Sequence, residues 1–315
     1  MNEENVKRYL HVIQRSVQLI EQELGVESGA IEPAQEAPPL AEQVVEKAVD
    51  PALSPEQIEA RKQHIEDLMS IDCWPPAIED YLVADVTKED QINRANCVLD
   101  WMIDRPVEGL DFLDFGTGDG WIARQALTRG VNSSTGYDVE ESPNWATIDE
   151  VKFTTNAEEL GAGSYDVIML YDVLDHCQDP VGVMQQVKGL LKFGGVVFIR
   201  CHPWTSKHAT HAYKQGLNKA YVHLFMTWDE MNVVLGEEKP MFTRVEKNPL
   251  EAYRWWFHEF NIVKERIVKG EPISQFFLVE SFKELIAQEQ ELNEDQIKDF
   301  FKDMEMDFVD YILEK

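Results

Sequence analysis

The chain has 315 residues, enough to bury a substantial core and to carry one large domain with appendages. Hydrophobic residues make up 44% of it, and no apolar run approaches the ~20 residues that cross a bilayer, so the composition predicts a globular protein without a membrane span. With 58 acidic against 29 basic residues the formal net charge is −29, which repels phosphate backbones over most of the surface and weighs against a nucleic-acid substrate.

Nothing in the opening run Met1–Val12 marks export, so a cytoplasmic location is expected. Cys73, Cys97, Cys177 and Cys201 are too few and too scattered for a disulfide framework and form no Cys-x-x-Cys pair, which predicts reduced thiols.

Residues 2–24 place Val6, Leu10, Ile13, Val17, Ile20 and Leu24 at alternating spacings of four and three. That is a heptad seam, and it predicts an amphipathic helix that could pair with a copy of itself, dock on a protein partner, or pack on its own domain. Residues 25–55, rich in Ala, Glu and Pro, read as an acidic linker. Helix restarts at Ser54 and Pro55, and residues 56–104 are expected to form a helical cap with Val98, Leu99, Trp101 and Met102 directed inward.

From residue 105 to 280 short β runs alternate with helical stretches, the pattern of a parallel sheet flanked by helices. The expected strands are Phe112–Phe115, Ser134–Tyr137, Lys152–Thr154, Asp166–Leu170 and Val196–Arg200. A closing hairpin of Asn261–Val268 and Gln275–Val279 follows. The aromatic run Tyr253–Phe257 at helical spacing reads as core rather than binding surface. Residues 281–315 are expected to be a helical tail, with cap signals at Ser281/Glu284 and Asn293/Gln296 and with Phe300, Met304, Phe308 and Ile312 on one face.

The chemistry-bearing segment is Leu113-Asp114-Phe115-Gly116-Thr117-Gly118-Asp119-Gly120, which follows an expected strand and opens an expected helix. Glycines let the chain turn sharply and let a ligand lie against bare backbone, though a tight strand-to-helix turn that holds nothing has the same composition. Asp138 lies 22 positions after Gly116 at the end of the next strand, where a carboxylate can accept from both hydroxyls of a ribose. Thr154-Thr155-Asn156-Ala157-Glu158-Glu159-Leu160 follows the third strand. Tyr165–Pro180, with Leu170, Tyr171 and His176, spans the fourth strand and its loop, and Leu190-Leu191-Lys192-Phe193-Gly194-Gly195 precedes the fifth.

In this order and spacing the landmarks resemble class I S-adenosylmethionine-dependent methyltransferases of the small-molecule branch. The resemblance implies an α/β, Rossmann-like seven-stranded sheet, mostly parallel with an antiparallel last strand, carrying helical N- and C-terminal extensions. It implies S-adenosyl-L-methionine as cofactor, bound by Asp114 on the ammonium group, by Gly116, Thr117, Gly118 and Gly120 along the loop, by Asp138 on the ribose, by Asn156, Ala157 and Glu158 at the adenine, and by Leu170 and Tyr171. Asn156 stands where the family commonly has an acid, and Phe193 where it has proline.

An acceptor pocket is expected beyond the fourth and fifth strands, where His176, His202, His208 and His211 cluster with Arg200, Trp204 and Tyr213. Three readings stay open for the histidines. His176 or His202 acts as general base while Arg200, Trp204, His208, His211 and Tyr213 line the substrate; Cys201 and the histidines hold a metal, at a spacing that matches no standard zinc pattern; or the histidines only hydrogen-bond the loop backbone. The first reading predicts methyl transfer to a small-molecule acceptor, with no metal. The rival is a scaffold or assembly protein that works through residues 2–24 and 281–315 as a homo-oligomer or with a protein partner.

Overall fold

The computed structural model describes residues 87–207, 209, 217–225, 250–270, 286, 287, 290 and 292–315, together with positions 63, 67, 70, 76 and 77. All fall within the unit Ser54–Lys315. The heptad segment 2–24, the linker 25–55, the strand expected at Gln275–Val279, and His208, His211 and Tyr213 lie outside the described residues.

Helix α1 (Lys88–Met102) starts at Thr87, whose hydroxyl accepts from the Asp90 amide at 3.1 Å. Strands β1 (Asp111–Phe115), β2 (Ser133–Tyr137), β3 (Lys152–Thr154), β4 (Tyr165–Tyr171) and β5 (Leu191–Cys201) follow, with helix α2 (Trp121–Thr128) after β1 and α3 (Pro180–Leu190) after β4. Helix α4 (Leu250–Trp256), strand β6 (Asn261–Lys269), helix α5 (Glu294–Asp303) and strand β7 (Met306–Glu314) complete the described elements. The seven-stranded sheet has the order β3-β2-β1-β4-β5-β7-β6. Strands β1 to β5 pair in parallel, and β7 runs antiparallel to both of its neighbours. The expected mostly parallel sheet with one antiparallel strand is therefore observed.

Side chains alternate across the sheet and bury both faces. On one face Leu113, Ile168, Leu170, Val197, Ile199, Tyr311 and Leu313 pack against Met184 and Val187 of α3 and Tyr253 and Trp256 of α4. On the other, Phe112, Val167, Met169, Val196, Phe198 and Ile312 pack against Val98, Leu99 and Met102 of α1 and Ala126 of α2. Full burial of each such side chain contributes about 1.5–3 kcal/mol. The aromatic run is core, as expected: Tyr253, Trp256 and Phe257 are buried, and Phe257 meets Tyr311 edge-on at 4.8 Å.

Two expectations are corrected. The segment 281–315 is not a helical tail, because β7 inserts between β5 and β6, so the sheet domain runs to Glu314 rather than ending near residue 280. Phe308 and Ile312 are four apart, a spacing that places residues on one face of a strand as well as on one face of a helix, and the helical reading chose wrongly between them. The Asn293/Gln296 cap is real but opens only α5. Trp101 does not point into the core: it is 48% exposed, and its indole N–H donates to Asp310 at 2.7 Å while its ring lies 4.4 Å from the Arg266 guanidinium. An amphipathic ring is better placed capping a buried carboxylate than displacing aliphatic packing.

Candidate functional site

Strand β1 ends at Phe115 and the chain reverses through Gly116 (φ +81°), Gly118 (φ +50°) and Gly120 (φ +86°), a left-handed sequence that side chains resist. The amides of Gly116 and Thr117 donate to the Tyr137 carbonyl at 2.7 and 2.9 Å, which fastens the loop to the end of β2. A Cβ at Gly116 would strike Val173, and one at Gly120 would come within 2.8 Å of Phe153, but at Gly118 it would meet nothing within 4 Å. The loop therefore packs tightly at its two ends and faces open space at its middle.

Two carboxylates flank it. Asp138 is half-buried, and each of its oxygens is oriented by a backbone amide: Oδ2 accepts from Gly118 and Oδ1 from Val139, both at 2.8 Å. Each oxygen keeps a lone pair for a further donor. Asp114 is 1% exposed and accepts from the Thr117 hydroxyl at 2.6 Å. Burial, reinforced by the neighbouring charges of Asp119 and Asp138, pushes its carboxyl up to about 7.

Asn156 opens the turn after β3, its side-chain carbonyl accepting from the Glu158 amide at 3.1 Å and its own amide donating to the Thr154 hydroxyl at 3.0 Å. The side-chain NH2 of Asn156 is the part left for an outside acceptor. Ala157 packs on the core and Glu158 is exposed. The Leu170 side chain is fully buried among α3-side residues. Tyr171 lies on the opposite face, half-buried, with the Arg200 guanidinium 5.5 Å from its ring and its hydroxyl pushed upward by burial.

Beyond the carboxyl ends of β4 and β5 the chain brings together residues from three segments. Asp172, in the left-handed region at φ +56°, lies with its Oδ1 3.2 Å from His202 Nε2. The other ring nitrogen of His202, Nδ1, faces the Asp307 carbonyl at 2.9 Å. The ring thus lies between a carboxylate at ion-pair distance and a carbonyl, surroundings that favour the protonated form. Burial opposes that charge, but Asp172, then Asp175 and Asp307, outweigh it and push the ring up to about 9. His202 is thus a poor general base at neutral pH, contrary to the role expected of it. His176 Nε2 lies 3.6 Å from the fully buried Asp175, whose carboxyl burial also drives upward. The helix that follows is capped by Asp179, whose carboxylate accepts from the Gly182 amide at 2.9 Å.

Of the residues expected to line the acceptor, Arg200 is held instead in a bidentate pair with Asp310, at 2.7 and 2.9 Å, and lies 3.6 Å over the Phe308 ring. Trp204 is 9% exposed and packs edge-on against His223. Cys97, Cys177 and Cys201 are free thiols, and among the described residues no group of three or more His, Cys, Asp or Glu could hold a metal. Sequence reasoning did not single out Asp172, Asp175 or Trp145. The first two sit in the run after β4, where a residue immediately following the strand is the available signal; Trp145 carries no motif.

Among solved structures, the fold is similar to an S-adenosylmethionine-dependent methyltransferase from Listeria monocytogenes, at 15% identity and TM-score 0.44 over 70% of this chain and 97% of that one. It is also similar to Haemonchus contortus phosphoethanolamine N-methyltransferase 2 in complex with S-adenosyl-L-methionine, at 17% identity and TM-score 0.43 over 71% and 52%. Ubiquinone biosynthesis O-methyltransferase of Pseudomonas aeruginosa is 31% identical over 114 residues, 32% of this chain and 48% of that protein. The enzyme of the same description from Pectobacterium atrosepticum is 31% identical over 121 residues, 34% and 50%. The chain spans about half the length of the curated relatives it matches. Residues 88–265, from the start of α1 into β6, match the family model described as a methyltransferase domain, which covers more than half of the chain. The chain belongs to this methyltransferase-domain family.

Proposed function

We propose that the chain transfers a methyl group from S-adenosyl-L-methionine to a small-molecule acceptor. The observation that carries this reading is Gly118, whose Cβ position faces open space while its amide is fixed on Asp138. The residues fit the cofactor. Asp138 offers its remaining lone pairs to the ribose hydroxyls, the buried Asp114 has no cationic partner among the described residues and suits an ammonium group, and the Asn156–Glu158 turn offers an amide to the adenine. Gly116, Thr117 and Gly120 shape the loop. When bound, the cofactor supplies a sulfonium methyl already activated for transfer.

The protein's part is then to align the acceptor and manage one proton. Asp172, held at ion-pair distance from the His202 ring, is the carboxylate best placed above β4. His176 and Asp175 border the same space. The O-methyltransferase relatives favour a hydroxyl acceptor. Production of S-adenosylhomocysteine is the readout, with purified protein offered hydroxyl-bearing, amine and thiol small molecules. Turnover with a hydroxyl compound that falls at least tenfold in Asp172→Asn supports the reading, and turnover unchanged by that substitution removes Asp172 from it.

A further inference from the structure

The segment between β2 and β3 contributes a residue to the glycine loop that no motif marks. Trp145 is 8% exposed, and its indole Nε1–H donates to the Gly118 carbonyl at 3.0 Å. The amide of the same glycine donates to Asp138 at 2.8 Å. Both polar atoms of Gly118 are therefore held by residues of one stretch, seven positions apart. The indole is itself fixed, stacked on the Phe153 ring at 4.9 Å and 8°. Phe153 in turn fills the space that a Cβ at Gly120 or Gly136 would need, at 2.8 and 2.6 Å.

The geometry points to Trp145 as a positioning residue for the cofactor: its N–H fixes the Gly118–Asp119 peptide on one side of the Gly118 Cα while Asp138 holds the Thr117–Gly118 peptide on the other, so that together they set the Gly118 backbone angles. The inference rests on the reading of this loop as the cofactor site. Two features separate the role from simple packing. Gly118 is exposed, so water can replace the indole donor at its carbonyl and loss of this bond costs the fold little. The open side of the same residue is where the ligand would lie, so a loop no longer held in advance must be ordered at the expense of binding.

Trp145→Phe keeps a ring on Phe153 and removes the N–H. The expected result is a melting temperature close to that of the wild type and a dissociation constant for S-adenosylhomocysteine raised about 3- to 10-fold, the size of one hydrogen bond. Without ligand, the Gly118 amide should exchange with deuterium faster in the variant. Should the phenylalanine variant fail to fold, β-(3-benzothienyl)alanine at position 145 keeps the ring shape without the N–H and gives the same test. A wild type that binds and a folded variant that binds equally well overturn the inference alone; a wild type that does not bind overturns the cofactor reading and the inference with it.

Discussion

His202 Nε2 and Asp172 Oδ1 stand 3.2 Å apart, and the second nitrogen of the same ring faces the carbonyl of Asp307 at 2.9 Å. The pair joins the ends of β4 and β5 to the start of β7, and it keeps a charged imidazole almost wholly out of solvent. Its consequence is a pH dependence with a fixed sign. The ring is raised from its ordinary value near 6.5 to about 9, so its contribution to stability is complete below about pH 6.5 and is lost as pH rises through 9. Denaturant titrations at intervals across this window should show a declining unfolding free energy. Asp172→Asn should flatten that decline and cost on the order of 3 kcal/mol at pH 7, since it leaves a buried cation unpaired.

Asp114 titrates in the opposite setting. Its carboxyl is raised to about 7 by burial, so the ligand-free protein loses stability as pH rises from about 4 through 7 and the buried group must ionise. A cationic ligand group favours the ionised form, and binding of S-adenosylmethionine near pH 6 should release a fraction of a proton. Calorimetry in two buffers of different ionisation enthalpy measures this directly. Release should vanish in Asp114→Asn, which should also bind at least tenfold more weakly.

The glycines of the loop should separate folding from binding. Gly118→Val introduces a β-branched residue at φ +50° into open space, so it costs about 1–3 kcal/mol of backbone strain, leaves the protein folded, and abolishes binding of S-adenosylhomocysteine. Gly116→Val adds a collision with Val173 to the same strain and should lower the melting temperature further. Paired melting and binding measurements on the two variants distinguish the positions.

Asp310 gathers donors from Arg200, Arg266 and Trp101, at distances from 2.6 to 3.1 Å, across three strands and one helix. Asp310→Ala strands the buried Arg200 and should destabilise the fold by about 3–5 kcal/mol in urea unfolding.

Much of this architecture is legible in the residue pattern. The strands at Phe112–Phe115, Ser134–Tyr137 and Lys152–Thr154 are found within one residue of their expected bounds. The β5 strand begins at Leu191, well before Val196, since Gly194 and Gly195 pass through it rather than ending it. The last strand escaped notice because positions 308 and 312 fit either periodicity, and its identity is decided by β5, more than a hundred residues away. The glycine loop and Asp138 were visible because one motif and one spacing define them. The partners that determine what His202, Arg200 and Trp101 do are Asp307 and Asp310, 105 to 209 positions distant, and no local pattern carries that information.

The proposed function depends on binding of S-adenosylmethionine by the Gly116–Gly120 loop and Asp138. Calorimetric titration of the wild-type chain and of Asp138→Ala with S-adenosylmethionine and S-adenosylhomocysteine tests it most directly. Micromolar binding to the wild type, about −8 kcal/mol, weakened at least tenfold in Asp138→Ala, is the predicted result. Absence of binding to a well-folded wild type, or equal binding by the variant, would contradict it.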